Sequence, residues 1–414
     1  MLIQNGLSAR NSQLRGPAAP GNTSVTAGGF NPAKPKKRKA TKRPKRKVDS
    51  ASGKGNGDFF TVDLHIWRRV CELNDINLAI AYLVLARGTQ GDMCTTSWST
   101  NAIERRTGIA RLRAKAAIEK LIGLGFAQVV RGGAKPRYRL AHPEGEPSAE
   151  ATAATPSNWV YLPNSIVDGV SSEVAPVELI RQTRCVRTLQ LFVELYHAQN
   201  LNDDGGIHCS AVYINYTRRA LAERGGLTVW GFDLDGPCYF EDAPFAAPFM
   251  TGQFESYTNR HGTVLNQDRG LKALYNAFQT LHDLGLITQA EHVVDGIDQG
   301  EIIHPCALTG GEAIERQVAE AAHAAGAALL TNEERQQAEG MGLHLVPLPI
   351  HLREARLVGV IRLRHAARTT ATLRWKGRSE EWEHRVRAYR EITEKAVILE
   401  GDATSMGDQR GING

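Results

Sequence analysis

The sequence predicts an α+β chain, and three observations carry that prediction: a helix, turn, helix and hairpin succession over 58–141, a partial return of the same pattern near 270–292, and alternating helical and strand-like segments after 307. At 414 residues the chain exceeds what a single hydrophobic core usually holds, so several modules are expected. The longest apolar run, 79–86, is too short for a membrane helix, and no basic-then-apolar leader opens the sequence. The six cysteines are scattered without a C-x-x-C pair. A cytoplasmic, nucleoid-associated protein with no membrane partner is expected.

Residues 1–57 are rich in Gly, Ala, Pro, Ser, Lys and Arg, too poor in apolar surface to offset chain entropy, and are expected to form a disordered basic arm. Ten of the 50 Lys and Arg residues lie between Lys34 and Lys47 with no acid among them. Without that run 40 bases face 44 acids, a balance of −4, so the +6 net charge is a matter of local patches. Such a run gains affinity for any nucleic acid by releasing counterions. A nuclear import signal and a solvated tail are its other readings.

Periodicity begins at Phe59. Ile76, Ala79, Ile80, Leu83 and Val84 predict a buried helix over 76–87, and a polar turn over 88–92 ends it. A short helix follows, capped by Ser99, Thr100 or Asn101, with Asn101 and Glu104 at capping-box spacing and Gly108 as terminator. Over 110–124 the residues Ala114, Ala117, Ile118 and Leu121 share the core face, while Leu112, Arg113, Lys115, Ala116 and Lys120 point outward. Strands over 126–131 and 137–140, joined by a glycine-rich tip, complete the pattern of a winged helix.

A Pro- and Ala-rich linker is expected over 142–158 and a second domain over 159–306, with a strand at 159–163 and helices at 180–199 and 211–224. The stretch 277–285 can be laid over 117–125 so that two alanines, two leucines and the final glycine coincide. A second winged helix with an insertion over 223–268 is inferred, giving a tandem arrangement. The remainder, 307–414, is expected to be a small mixed subdomain with a disordered tail: helix 312–330, strands 346–350, 357–363 and 371–375, and a last helix over 379–399 with Trp382, Val386, Tyr389 and Ile392 on one stripe.

Between Asn101 and Leu140 ten bases stand against Glu104 and Glu119, a local charge of +8. Eight of them, Arg111, Arg113, Lys115, Lys120, Arg131, Lys135, Arg137 and Arg139, fall on the third helix and the hairpin, the parts able to enter a major groove and touch the adjoining backbone. Arg111, Arg113 and Lys115 are placed for base edges or phosphates, and the hairpin residues for phosphate or minor-groove contact. A basic face that binds protein is the competing reading.

The run from Asn101 to Phe126 resembles the helix-turn-helix core of the bacterial winged-helix superfamily. That resemblance implies binding of double-stranded DNA by a transcription regulator, or by an initiator or maintenance protein of a plasmid, phage or integrative element; such initiators pair two winged helices. It places base reading on Arg111, Arg113 and Lys115. The small polar residue that usually opens the third helix is Ala110 here, which weakens the local cap. A protein-interaction scaffold is the remaining alternative.

The second domain carries a balance of −3 over 269–301, so dimerisation or partner binding is preferred for it over weak DNA contact. A third patch, 353–378, holds eight bases and Glu354, with Arg362, Arg364 and Arg374 on predicted strands; solvent-facing arginines that guard a sheet edge and nucleic-acid contact fit it equally. Asp233-Leu-Asp-Gly-Pro with Glu241 and Asp242 reads as turn composition before it reads as a Mg²⁺ site. His304/Cys306 and His208/Cys209 lack the second spaced pair of a zinc site. No phosphate-loop, His-x-His or G-x-S-x-G motif occurs. A non-enzymatic protein without cofactor or metal is expected.

Overall fold

The computed structural model describes residues 58–141, 158–170, 173–201, 205–207, 211–234, 238–240, 243–258, 262, 264–296, 301–308 and 310–408. The expected arm at 1–57, nearly all of the expected linker and the last six residues lie outside them. The described chain is a mixed α+β structure. Among the described residues, no helix is long and apolar enough to cross a membrane.

The first elements are β1 (Phe59–Asp63), α1 (Leu64–Glu72) and α2 (Ile76–Arg87). Asp63 caps α1 by accepting from the Ile66 amide, and Asp75 caps α2 through the amides of Asn77 and Leu78. Every residue of α2 from Leu78 to Ala86 is buried, so this helix is hydrophobic all round and forms the centre of its layer. Then come β2 (Thr95–Thr96), α3 (Thr100–Thr107), α4 (Arg111–Gly123), β3 (Ala127–Arg131) and β4 (Arg137–Leu140). The strands form an antiparallel sheet in the order β2-β4-β3. Ser99 holds the cap position of α3 without a side-chain bond, so Asn101 lies inside the first turn rather than at the cap of the expected capping box.

β5 (Trp159–Pro163) pairs antiparallel with β1 from Phe59↔Pro163 to Asp63↔Trp159. It leads into α5 (Ser165–Asp168), α6 (Pro176–Thr183) and α7 (Val186–His197). The single helix expected over 180–199 is broken where Arg184 turns left-handed, at φ 58°. The core that begins with Phe60, Trp67, Leu83 and Leu121 runs on without a break through Ile180, Leu189 and Phe192. The segments expected as separate domains at 58–141 and 159–306 therefore share one hydrophobic interior.

Small strands fill the next stretch: β6 (Gln199–Asn200), β7 (Gly206–Ile207), β8 (Tyr213–Asn215), β9 (Thr217–Arg224), β10 (Leu227–Asp233), β11 (Cys238–Tyr239), β12 (Phe254–Thr258) and β13 (Val264–Asp268). The helix expected over 211–224 is instead β8 and β9. Gly225 and Gly226, both at positive φ (59° and 79°), make a tight hairpin turn, and β10 offers β9 a full ladder. Tertiary pairing overrides the helical tendency of Ala-Leu-Ala-Glu-Arg.

α8 (Arg269–Asp283) precedes β14 (Ile287–Asp295) and β15 (Glu301–Pro305), and α9 (Ala313–Ala328), α10 (Asn332–Gly340), β16 (His344–Pro349), β17 (Ala355–Leu363), α11 (Thr370–Gly377) and α12 (Ser379–Asp408) complete the chain. One sheet runs β11-β8-β17-β14-β15 and another β16-β10-β9. A second core, with Val293, Cys306, Val318, Leu357, Trp382, Val386 and Tyr389, lies between the five-stranded sheet and helices α9 and α12. Residues 371–375, expected as a strand, belong to α11, where the Thr369 hydroxyl caps the Thr372 amide and Trp375 is buried.

Candidate nucleic-acid interface

Helix α4 presents its cations because its small and apolar residues are spent inward. Ala114, Ala117, Ile118 and Leu121 are buried against α2 and α3, which leaves Arg111, Arg113, Lys115 and Lys120 exposed. Two of these are partnered. Lys115 lies 3.6 Å from Glu119 one turn on, and Lys120 lies 3.2 Å from Asp75 at the cap of α2. Arg111 and Arg113, at the first and third positions of the helix, form no ion pair with any described residue. Ala110 occupies the cap position and makes no side-chain bond, so no side chain satisfies the first-turn amides, at the end where the helix dipole attracts anions.

The hairpin extends the same positive surface. Arg131, Lys135, Arg137 and Arg139 are all exposed, and β4 is anchored only at its base, where Thr95↔Arg139 and Thr96↔Tyr138 join it to β2. Across the ladder Arg131 stands directly opposite Arg137. Like charges in that position destabilise a bare hairpin, and a bound polyanion would reverse the sign.

Not every base of the +8 segment belongs to this face. The Arg106 guanidinium stacks 4.1 Å from the Trp98 ring and donates to Asp168 of α5, which also accepts from Arg87 at 2.7 Å. This clamp fixes α3 to the segment beyond the linker. Sequence offers no signal for it, since Arg106 and Asp168 stand 62 residues apart. Sequence reasoning also gave no role to Leu112, whose side chain is 84% exposed between Arg111 and Arg113.

The other two patches dissolve into internal pairs. Arg362 of β17 lies inside, bidentate to Glu315 at 2.5 and 3.0 Å and donating to His292 Nε2 at 3.0 Å. Arg364 pairs with Glu173, Arg368 with Asp58 and Lys376 with Glu312, while Arg378 lies over the rings of Trp375 and Trp382. Arg374 sits on helix α11, not on a strand, so Arg362, Arg364 and Arg374 do not share one strand face. In the 159–306 segment, hairpin β14–β15 is edge-paired by β17 from Ile287↔Leu363 to Asp295↔Ala355, and one face packs under α9 and α12. The dimerisation surface expected there is thus not the hairpin as it stands.

Residues weighed as metal ligands serve the core. His304 donates from Nδ1 to the Pro305 carbonyl and accepts at Nε2 from the Tyr389 hydroxyl, and Cys306 lies 3.5 Å from His344. Asp233 closes β10, and positions 235–237, 241–242 and 208–210 fall outside the described residues. Comparison with protein-family models, characterised proteins and solved structures gives no match.

Proposed function

We propose that the 58–141 segment is a winged helix-turn-helix that binds double-stranded DNA in a sequence-specific manner, and that the chain acts as a transcriptional regulator. One observation carries the reading: exposed cations converge on the start of α4 and on the β3–β4 hairpin, where Arg131 and Arg137 face each other with no acid between them. In the proposed complex α4 lies in the major groove, the hairpin follows the adjoining backbone, and the Lys34–Lys47 run adds attraction that does not read sequence. No catalytic step, cofactor or metal enters the proposal.

A second reading, initiation of replication on a mobile element, is favoured by one feature: α8 ends as α4 does, with Ala117, Leu121 and Gly125 matched by Ala277, Leu281 and Gly285. The two processes differ in their sites. A regulator selects a palindrome beside a promoter, and an initiator selects repeats beside AT-rich DNA.

The test is fluorescence anisotropy of the whole chain on labelled duplex across a salt series. The expected plot of log K against log salt is steep, and Arg111→Ala with Arg113→Ala lowers its slope by about 2, one for each phosphate released. Lys272→Ala on α8 leaves the slope unchanged. A chain that shows no salt-sensitive duplex binding is a protein-interaction scaffold instead.

A further inference from the structure

We infer that Leu112 is a specificity-determining residue that reads the 5-methyl group of thymine in the major groove. The inference rests on the DNA-binding reading and goes beyond it, because it moves base recognition from the arginines to an apolar side chain. Leu112 is the most exposed large hydrophobic residue among those described, and a solitary exposed leucine needs no explanation in itself. Its position supplies the reason.

At about 100° per residue, the buried set Ala114, Ala117, Ile118 and Leu121 occupies one side of α4, and Leu112 and Ala116 stand opposite it. Arg111 and Lys115 run along one flank of that outer stripe, and Arg113 and Lys120 along the other. The most protruding line of the helix is therefore apolar, bordered on both sides by positive charge.

A helix about 10–12 Å across fills a major groove about 12 Å wide, so its flanks meet the two phosphate backbones and its outer line meets the base-pair edges. Along those edges the single apolar feature is the thymine methyl group. Ala116, one turn further on, is small enough to let the helix approach closely. A protein partner suited to Leu112 would have to cover four flanking cations as well, and a duplex does so with its own backbone.

The experiment uses the whole chain. Duplexes are first selected from a random pool, and each thymine of the selected site is then replaced singly by uracil, which removes only the methyl group. Binding is measured for the natural chain and for Leu112→Ala, with sedimentation to follow oligomeric state. The expected result is one thymine whose replacement weakens the natural chain about fourfold, the worth of one buried methyl group, and leaves Leu112→Ala unaffected. Equal responses of both proteins at every thymine, or selected sites without thymine, overturn the inference while DNA binding stands. A change of oligomeric state in Leu112→Ala, with no coupling to any methyl group, overturns it in favour of a protein contact. Failure of the natural chain to bind any duplex brings down the underlying reading, and this inference with it.

Discussion

At the end of α4 the Phe126 amide donates to the Leu121 carbonyl at 2.9 Å and Gly125 turns at φ 78°; at the end of α8 the Leu286 amide donates to Leu281 at 3.0 Å and Gly285 turns at φ 64°. Each helix then enters a hairpin. β3–β4 stands out from the body, with Val129 and Val130 more than 49% exposed and its cations in solvent, whereas β14 is held along its whole length by β17 and lies in the middle of a five-stranded sheet. A local sequence pattern can therefore repeat a helix end while the long-range partners of the next strand decide whether the hairpin is a free positive arm or part of a core.

The sharpest separation of the two regions lies in their arginines. Arg362→Ala leaves Glu315, which is 1% exposed, as an uncompensated buried charge, and is expected to cost about 3–5 kcal/mol in urea unfolding. Arg131→Ala or Arg137→Ala is expected to stay within about 0.5 kcal/mol, or to stabilise slightly, because it relieves a like-charge pair. Comparable losses at the two hairpins would break the comparison.

Acid comes next. Burial holds His304 down to about 4, and burial followed by repulsion from His323 holds His344 down to about 3. Both are neutral in the fold and take up a proton on unfolding near the ordinary value of about 6.5. Their contribution is complete above that value and is lost as pH falls through it toward 4, roughly 2 kcal/mol for each at pH 5. The 58–141 segment has one histidine, the exposed His65. Hydrogen exchange corrected for intrinsic rate is expected to weaken first in β15, β16 and the sheet around them between pH 7 and 5. Uniform weakening, with 58–141 leading, would mean that these histidines do not govern the acid limb.

The smallest effect tests the likeness of the helix ends. A Cβ at Gly125 meets nothing within 4 Å, and one at Gly285 comes no nearer than 3.8 Å, to Arg364. Gly125→Ala and Gly285→Ala should therefore each cost only the left-handed penalty, about 1 kcal/mol. Thermal melts that place the two costs far apart would show that the ends resemble each other in sequence alone.

Much of the fold was legible without tertiary information. Apolar spacing marked α2 and α4, the glycine-rich tip between strand-forming runs marked β3 and β4, and the stripe of Trp382, Val386 and Tyr389 marked α12. The cations of the candidate face were visible as well, since exposure follows once the inward positions of α4 are known. Residues 217–224 and 371–375 misled because their local preferences favour helix and strand, while the ladder with β10 and the burial of Trp375 favour the reverse.

What sequence determined by itself is what neighbours a few residues apart control: helical periodicity, the glycine that ends a helix, the local sum of charge. Only the tertiary structure decided that Arg106 belongs to Asp168, that Arg362 belongs to Glu315, that β17 claims the edge of β14, and that Leu112 crowns the exposed line of α4. The first three depend on partners dozens of residues away, and the last on knowing which face of the helix the rest of the chain has covered.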